Sequence, residues 1–211
     1  MTEVSERSDD RASPPQTAKF AERRAELATA TLQTLAELGY ARTSLREIAQ
    51  NSPFSHGVLH YYFSDKVDLI TQAVRQYEEV CVTRYDELVA AATAADGLEH
   101  DFAAAMAATL SSDAPMHRLW YDLRNQSLFE PSFRADVIDI DARREAMIWR
   151  VVSRYGELAG TDPVLPPAAA YAVLDGLFQQ ALLRHLAGDA EAARALRDAA
   201  VEALRLLVPR G

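Results

Sequence analysis

Apolar side chains recur at steps of three and four residues through most of this 211-residue chain. That spacing is typical of one face of an α-helix. In the first segment Leu27, Thr31, Leu35 and Leu38 form such a stripe, and Gly39 follows in the position of a helix C-cap. No segment alternates apolar and polar residues between hairpin turns. The pattern therefore predicts an all-α protein without a β-sheet.

Glycine and proline divide the chain beyond residue 16 into segments of helical length. Residues 1–16 are polar and contain two prolines, which predicts a disordered arm. The segment after Lys66 predicts one helix of about 25 residues. Its stripe consists of Ile70, Ala73, Val74, Tyr77, Cys81, Arg84 and Leu88.

The last two helical segments, residues 168–187 and 190–208, carry much apolar surface, and the first of them is apolar on two faces. A helix with two apolar faces must bury both. We expect a homodimer held by a four-helix bundle, while the alternative that the first helix is central in a monomer stays open. The predicted interface residues are Tyr171, Val173, Leu177, Ala181, Leu196, Ala200 and Leu204.

Composition favours a soluble cytoplasmic protein. Cys81 is the single cysteine, so no intrachain disulfide can form. No apolar run approaches the roughly 18 residues that a membrane span needs, and the polar N-terminus does not resemble a signal peptide. We expect no membrane association and no cofactor.

The net charge of −9 is unevenly distributed. Between Lys19 and Lys66, six basic residues stand against five acidic ones, a balance of +1. From residue 67 onward, 14 basic and 22 acidic residues give −8. The first segment can therefore approach phosphate, whereas the acidic remainder is poorly suited to wrapping DNA.

Residues 43–66 contain two short amphipathic segments separated by a turn at residues 51–54. Thr43 or Ser44 can cap the first helix, and Glu47 completes a capping box with Ser44. Ser55 can cap the second. Two short helices joined in this way form the helix-turn-helix that places its second helix in a DNA major groove. The inward residues are Leu45, Ile48 and Ala49, followed by Leu59, Tyr62 and Phe63.

The outward side chains of the second helix are suited to base edges, thymine methyls and phosphate oxygens, and none is acidic. Arg46 and Lys66 can reach backbone phosphates. The predicted DNA-binding residues are Thr43, Ser44, Arg46, Ser55, His56, Val58, His60, Tyr61 and Lys66. His56 and His60 also have the spacing of two metal ligands, but the glutamate of an HExxH motif is absent and no third ligand is near. We therefore predict no metal site.

The stretch from about Lys19 to Tyr77 resembles the DNA-binding domain of the TetR family. The similarity lies in the Gly39-Tyr40 pair, the runs 43–49 and 55–63, and Lys66. It implies a helix-turn-helix at 44–63, with residues 55–62 as recognition helix, in a DNA-binding domain of residues 17–77. Residues 78–211 would then form a helical-bundle domain for ligand binding and dimerisation.

One position departs from the family pattern. The turn usually contains glycine, which adopts positive φ, whereas this chain has Pro53, whose φ is fixed near −65°. Asn51 tolerates the left-handed conformation and is the residue expected to replace glycine there.

The resemblance also implies an effector pocket in the C-terminal body. Aromatic side chains with a few polar groups are typical of such a pocket, although each aromatic can equally be core. Asp122 would suit a cationic ligand and Arg124 an anionic one, so the ligand's charge stays open. The predicted lining residues are Phe102, Met106, Trp120, Tyr121, Asp122, Arg124, Asn125, Phe129, Trp149 and Phe178.

Together these features predict a repressor that binds a pseudo-palindromic DNA operator as a homodimer and is released by an unknown small molecule. An activator of the same fold and a small helical enzyme with a structural helix-turn-helix are the alternatives. No nucleophile elbow, glycine-rich phosphate loop or metal quartet supports the enzyme.

Overall fold

The computed structural model describes residues 14–209, with side chains from residue 17 onward. Within this part the chain folds into helices without a strand, which confirms the predicted all-α class. The helices are α1 (Pro14–Leu38), α2 (Leu45–Gln50), α3 (His56–Tyr62), α4 (Lys66–Cys81), α5 (Asp86–Ala91), α6 (Ala95–Ser112), α7 (Ala114–Gln126), a 3-10 turn (Pro131–Phe133), α8 (Arg134–Ala159), α9 (Pro167–Leu186) and α10 (Ala192–Leu207). Residues 1–13 of the predicted arm lie outside the described residues, and residues 14–16 belong to the first turn of α1.

Helix α1 packs along α4 and ends where the sequence pattern predicted. Leu27 and Leu35 are fully buried, as is Leu69 of α4. Gly39 has a φ of 77°, and its N–H donates to the Leu35 carbonyl at 2.8 Å. A residue with a side chain is strained at that φ, so glycine is the natural C-cap.

The predicted helix of about 25 residues after Lys66 is wrong, because the helix stops at Cys81 and resumes at Asp86. Between them Arg84 N–H donates to the Cys81 carbonyl and Asp86 N–H to the Thr83 carbonyl, both three residues back. The break is held by Arg150 of α8, which donates to the Val82 carbonyl at 2.5 Å and to the Asp86 carboxylate at 2.9 Å. A partner distant in sequence therefore satisfies the carbonyl that the helix leaves open.

The C-terminal body consists of α8, α9 and α10 packed around α6 and α7. Helix α10 lies against both α6 and α9. The interface prediction is consequently wrong for Ala181, Leu196, Ala200 and Leu204, because α6, α9 and α10 bury these side chains within one chain. Tyr171 is also buried, and its hydroxyl donates to Asp141 at 2.7 Å.

Two of the predicted interface residues remain at the surface of α9. Val173 is 41% exposed and Leu177 is half-buried. Leu183 and Leu186, on the same helix, are also exposed. No described helix combines the length and apolar character that a membrane crossing requires.

Candidate DNA-binding surface and internal cavity

Helices α2 and α3 form the predicted pair of short helices. Ser44 caps α2 and accepts from Glu47 N–H at 3.2 Å, whereas Ser55 caps α3 and accepts from Val58 N–H at 3.3 Å. Both helices bury their apolar side against α1 and against each other. The buried side chains are Leu45, Ile48, Leu59 and Phe63.

The turn between α2 and α3 is built without a left-handed residue. Asn51 has a φ of −104°, so the expectation that it replaces glycine in the left-handed conformation is wrong. Instead its N–H and side-chain amide both donate to the Glu47 carbonyl, at 3.1 and 2.9 Å. Asn51 thus closes α2 with negative φ, and Pro53 fits the chain that follows because its own φ is also negative.

The outer face of α3 presents His56, His60 and Tyr61 to solvent. Tyr61 is 72% exposed, and both histidines are exposed. The two imidazole rings meet edge to face, with their Nε2 atoms 3.1 Å apart. Arg46 on α2 and Arg42 in the preceding loop are exposed as well. This surface therefore offers polar, aromatic and cationic groups without a carboxylate on α3.

Three predicted DNA-binding residues are positioned otherwise than expected. Thr43 is 3% exposed and its hydroxyl donates to the Gly39 carbonyl at 2.6 Å, so its side chain is not on the surface. Val58 is half-buried against the core. Lys66 donates to the Tyr40 carbonyl at 3.0 Å and lies 4.0 Å from the centre of that ring. Lys66 therefore anchors Tyr40 within the protein and does not extend towards phosphate.

Arg24 positions α3, a role that sequence reasoning missed. Its guanidinium donates to the Tyr62 carbonyl at the end of α3 and to the Asp68 carboxylate at 2.6 Å. Burial by itself would raise the pKa of Asp68, but hydrogen bonds from Arg24 and from the Ser64 backbone lower it. The partners of Arg24 lie 38 and 44 residues away, and no sequence spacing indicates them.

A metal site at His56 and His60 was predicted to be absent. Among residues 14–209 no group of three or more histidine, cysteine, aspartate or glutamate side chains is arranged to hold a metal ion. The histidine pair is at most two ligands on an exposed helix face.

The N-terminal helices join the body through the end of α1. Tyr40 N–H donates to the Asp122 carboxylate of α7 at 2.7 Å. Arg118, one turn earlier on α7, donates to the carbonyls of Ala36 and Glu37 at the end of α1. Two positions of α7 therefore hold the segment from which the helix-turn-helix begins.

The body contains a partly open cavity of about 60 Å³ between α4, α6, α7, α8 and α9. This volume is below the range of about 300–1,000 Å³ that is typical of small-molecule sites, so a bound ligand would need the side chains of the wall to move. Three of the predicted pocket residues line it, namely Met106, Tyr121 and Phe178. The other lining residues are Cys81, Arg84, Tyr85, Thr109, His117, Arg144, Met147, Ile148, Tyr171, Leu174 and Asp175.

The remaining predicted pocket residues lie elsewhere. Phe102 is fully buried behind the wall, packed on Tyr85 with ring centres 4.9 Å apart, and Trp120 is buried beneath Arg144. Arg124 supports the wall from behind by pairing with Asp175.

Four further residues of the predicted pocket lie clearly outside this cavity. Asp122 and Asn125 line a separate open groove between α1, α7 and α9. Trp149 borders a surface crevice, and Phe129 is 84% exposed because α7 has already ended at Gln126. None of these four residues lines this cavity, and their assignment to an effector pocket stays a prediction.

One end of the cavity is acidic and aromatic. Tyr121 donates to Asp175 at 2.8 Å, and Tyr171 donates to Asp141 at 2.7 Å. Arg124 pairs with Asp175 at 2.5 Å and with Asp141 at 3.3 Å. This cluster therefore contains two negative charges and one positive charge. Burial, followed by the charge of Asp175, raises the pKa of both tyrosines. Their phenols therefore stay neutral and act as donors.

The two arginines that line the cavity are already paired. Arg144 makes a two-pronged pair with the fully buried Glu78, at 2.5 and 2.8 Å, and Arg84 pairs with Asp113 at 2.5 Å. Each positive charge is thus balanced inside the protein. Sequence reasoning missed Glu78, Arg144 and Asp175, because charged residues on helices are usually solvated and their partners lie far along the chain.

Comparison with known proteins agrees with this architecture. The family model described as "Bacterial regulatory proteins, tetR family" matches residues 27–73, and that of the "BetI-type transcriptional repressor, C-terminal" matches residues 102–206. The HTH-type transcriptional regulator BetI of Burkholderia thailandensis is 31% identical over 204 residues, which cover 89% of this chain and 95% of the relative.

Solved structures share the fold at lower identity. A transcriptional regulator from Saccharomonospora viridis in complex with choline has a TM-score of 0.72 and 17% identity, covering 89% of this chain and 98% of the other. FadR from Bacillus subtilis in complex with stearoyl-CoA has a TM-score of 0.68 and 16% identity, covering 85% and 96%. The chain therefore belongs to the TetR family and is a DNA-binding transcriptional regulator with a helix-turn-helix.

Proposed function

We propose that this protein is a homodimeric repressor that binds a pseudo-palindromic operator through α3 and releases it when a small organic cation occupies the internal cavity. The observation that carries the DNA contact is the exposed face of α3 with His56, His60 and Tyr61. Base edges and phosphates are read by such groups, while Arg42 and Arg46 supply charge beside them.

The homodimer is supported by the apolar surface that α9 leaves uncovered in one chain. Val173, Leu177, Leu183 and Leu186 lie on this helix, and Leu183 is 71% exposed. Exposed apolar surface of this kind is typical of a protein–protein interface. A two-fold partner packed on α9 would present two recognition helices about 34–36 Å apart, the spacing of successive major grooves.

The cationic effector is supported by the acidic end of the cavity. The Asp141–Arg124–Asp175 cluster carries an excess of one negative charge. The rings of Tyr85, Tyr121 and Tyr171 line the cavity. Aromatic faces attract organic cations. The Saccharomonospora viridis regulator, which has a similar fold, was solved with choline. Choline is therefore the first effector to test on this chain.

Two helices connect the cavity to the DNA-binding helices. Helix α4 begins at Lys66, which anchors Tyr40, and ends at Cys81 in the cavity wall. Helix α7 places Tyr121 in the cavity wall, while the adjacent Asp122 holds Tyr40 N–H. A ligand that shifts either helix would change the position of α3. By reciprocity, DNA would then weaken ligand binding by the same factor.

The proposal is tested by fluorescence anisotropy of labelled DNA from upstream of the protein's own gene. We expect tight binding that weakens steeply with salt and is not displaced by scrambled DNA. Light scattering of the complex should give two chains per operator. Equal affinity for both DNAs would contradict sequence-specific regulation at this operator, and one chain per operator would contradict the dimer.

A further inference from the structure

Phe20, near the start of α1, packs on the end of the recognition helix α3. Its ring centre lies 4.8 Å from that of Tyr62 and 6.1 Å from that of Tyr61. The rings of Tyr61 and Tyr62 in turn meet edge to face, with centres 4.9 Å apart. Phe20, Tyr61 and Tyr62 therefore form one aromatic cluster between α1 and α3, beside the proposed DNA-binding face.

The three rings of the aromatic cluster differ in how firmly the fold holds them. Tyr62 is half-buried and packs against the core, and Arg24 of α1 donates to its carbonyl. Phe20 is 39% exposed, whereas Tyr61 is 72% exposed. Within residues 14–209, the aromatic contacts of Tyr61 are those with Phe20 and Tyr62. The cluster thus extends from the core to the exposed ring that faces DNA in the proposed complex.

The contact between Tyr61 and Tyr62 is unusual for consecutive residues of a helix, because their side chains do not ordinarily face each other. Here the two rings meet, and Phe20 contacts both. Aromatic rings at such distances attract each other through their charge distribution, so Phe20 favours one orientation of the Tyr61 ring. A side chain that is ordered before binding loses less conformational entropy when the complex forms.

We infer that Phe20 is a positioning residue for operator recognition, which holds the ring of Tyr61 in the orientation that contacts DNA and does not contact DNA itself. This inference rests on the proposed DNA contact of α3 and adds a residue of α1 to it. A phenylalanine ring carries no charge, so it contributes nothing to the phosphate attraction that supplies non-specific binding. The effect of Phe20 should therefore appear in operator affinity and not in affinity for unrelated DNA.

The test is a double-mutant cycle on the full-length protein, with anisotropy of labelled operator and of labelled scrambled DNA. Phe20→Ala removes the ring and should weaken operator binding about fivefold, which is within the cost of ordering one free side chain. Affinity for scrambled DNA should not change. When Tyr61→Ala is already present, Phe20→Ala should leave operator affinity unchanged, because the ring that it positions is gone.

Further variants separate positioning from other roles. Phe20→Tyr keeps the ring and should retain the operator affinity of the unmodified protein. Phe129→Ala removes an aromatic ring that is 84% exposed in the body, and it should change neither affinity. Thermal melting establishes that each variant is folded. If Phe20→Ala does not fold, Phe20→Leu takes its place in the cycle, because leucine keeps apolar bulk beside Tyr62 and removes the ring.

The outcomes distinguish this inference from the function on which it rests. Equal costs of Phe20→Ala with and without the Tyr61 ring would overturn the inference, since Phe20 would then act on α3 as a whole or contact DNA itself. Equal losses for operator and scrambled DNA would overturn it as well. In both cases, preference of the unmodified protein for its operator leaves the proposed function standing. If Tyr61→Ala alone has no effect on operator binding, the DNA contact of Tyr61 and the role of Phe20 both fail.

Discussion

The DNA-binding helices and the cavity of the body use polar side chains in opposite ways. On α3, His56, His60 and Tyr61 stand exposed on one short helix and have few partners in the fold. In the body, buried charged groups are paired across helices, as in Arg144–Glu78, which are 66 residues apart. Residues on an exposed face can be substituted without unfolding the protein, whereas substitutions in a buried network are expected to change both stability and ligand binding. The substitutions below test this difference.

The largest effect is expected from breaking the buried pair in the body. Arg144→Met leaves the carboxylate of Glu78 buried and unpaired, so the free energy of unfolding should fall by about 3–5 kcal/mol. Chemical denaturation measures this loss. Adding Glu78→Leu removes the unpaired charge and should recover much of it. If the single and double variants are equally destabilised, the pair is not what holds α4 to α8.

The buried histidine predicts how stability changes with pH. The pKa of His117 is lowered to about 3 by burial and by the two arginines, whereas in the unfolded chain it is near 6.5. Below pH 6.5 the unfolded chain therefore takes up a proton that the folded protein does not, and folding loses on the order of 1 kcal/mol per pH unit down to about pH 3. Above pH 6.5 this contribution is absent.

Denaturation curves between pH 7 and pH 4 isolate this contribution by comparison. His117→Phe has no titrating group at this position, so its stability should fall less steeply than that of the unmodified protein. Parallel curves for the two proteins would show that His117 titrates normally and is not buried as described.

A charge on the exposed face should change DNA binding and leave stability unchanged. Tyr61→Asp places a carboxylate where α3 approaches phosphate, so operator affinity should fall by a factor of about 10 to 100, corresponding to roughly 1–3 kcal/mol. Thr93→Asp adds the same charge to an exposed loop of the body and serves as the control. A melting temperature lowered in Tyr61→Asp alone, or equal affinity in the two variants, would contradict the division of roles.

The smallest effect concerns a cap inside the DNA-binding unit. Ser44→Ala removes the acceptor for Glu47 N–H and should cost about 1 kcal/mol of unfolding free energy. Ser111→Ala, at an exposed position within α6, should change stability by less than about 0.5 kcal/mol. Equal effects would mean that the hydroxyl of Ser44 does not cap α2.

Local sequence patterns were sufficient to predict the helix caps and the inward residues of the DNA-binding unit. The caps at Ser44 and Ser55, the glycine at residue 39 and the inward residues Leu59 and Phe63 all follow from spacings of a few residues. One prediction failed there because a side chain had a distant partner. Lys66 was expected to reach phosphate, but it is held by Tyr40, 26 residues away.

The body was harder to predict because its chemistry depends on packing between helices. Apolar stripes indicated which residues are buried, and Trp120 and Phe178 are buried. The stripes did not distinguish a cavity wall from solid core, and they did not indicate that α7 ends before Phe129. Likewise, the apolar stripe of α10 was assigned to a partner chain, although α6 and α9 cover it within one chain.

The central claim is that the cavity and the recognition helix are coupled, and one titration tests it directly. Choline is added to the preformed complex of the protein with its labelled operator, and the operator dissociation constant is followed by anisotropy at constant ionic strength. Sodium chloride at the same concentration serves as the control for salt. The account predicts operator binding weakened about 5- to 150-fold at saturating choline, as for a coupling energy of about 1–3 kcal/mol. Operator affinity that is unchanged or tighter at saturating choline would contradict it.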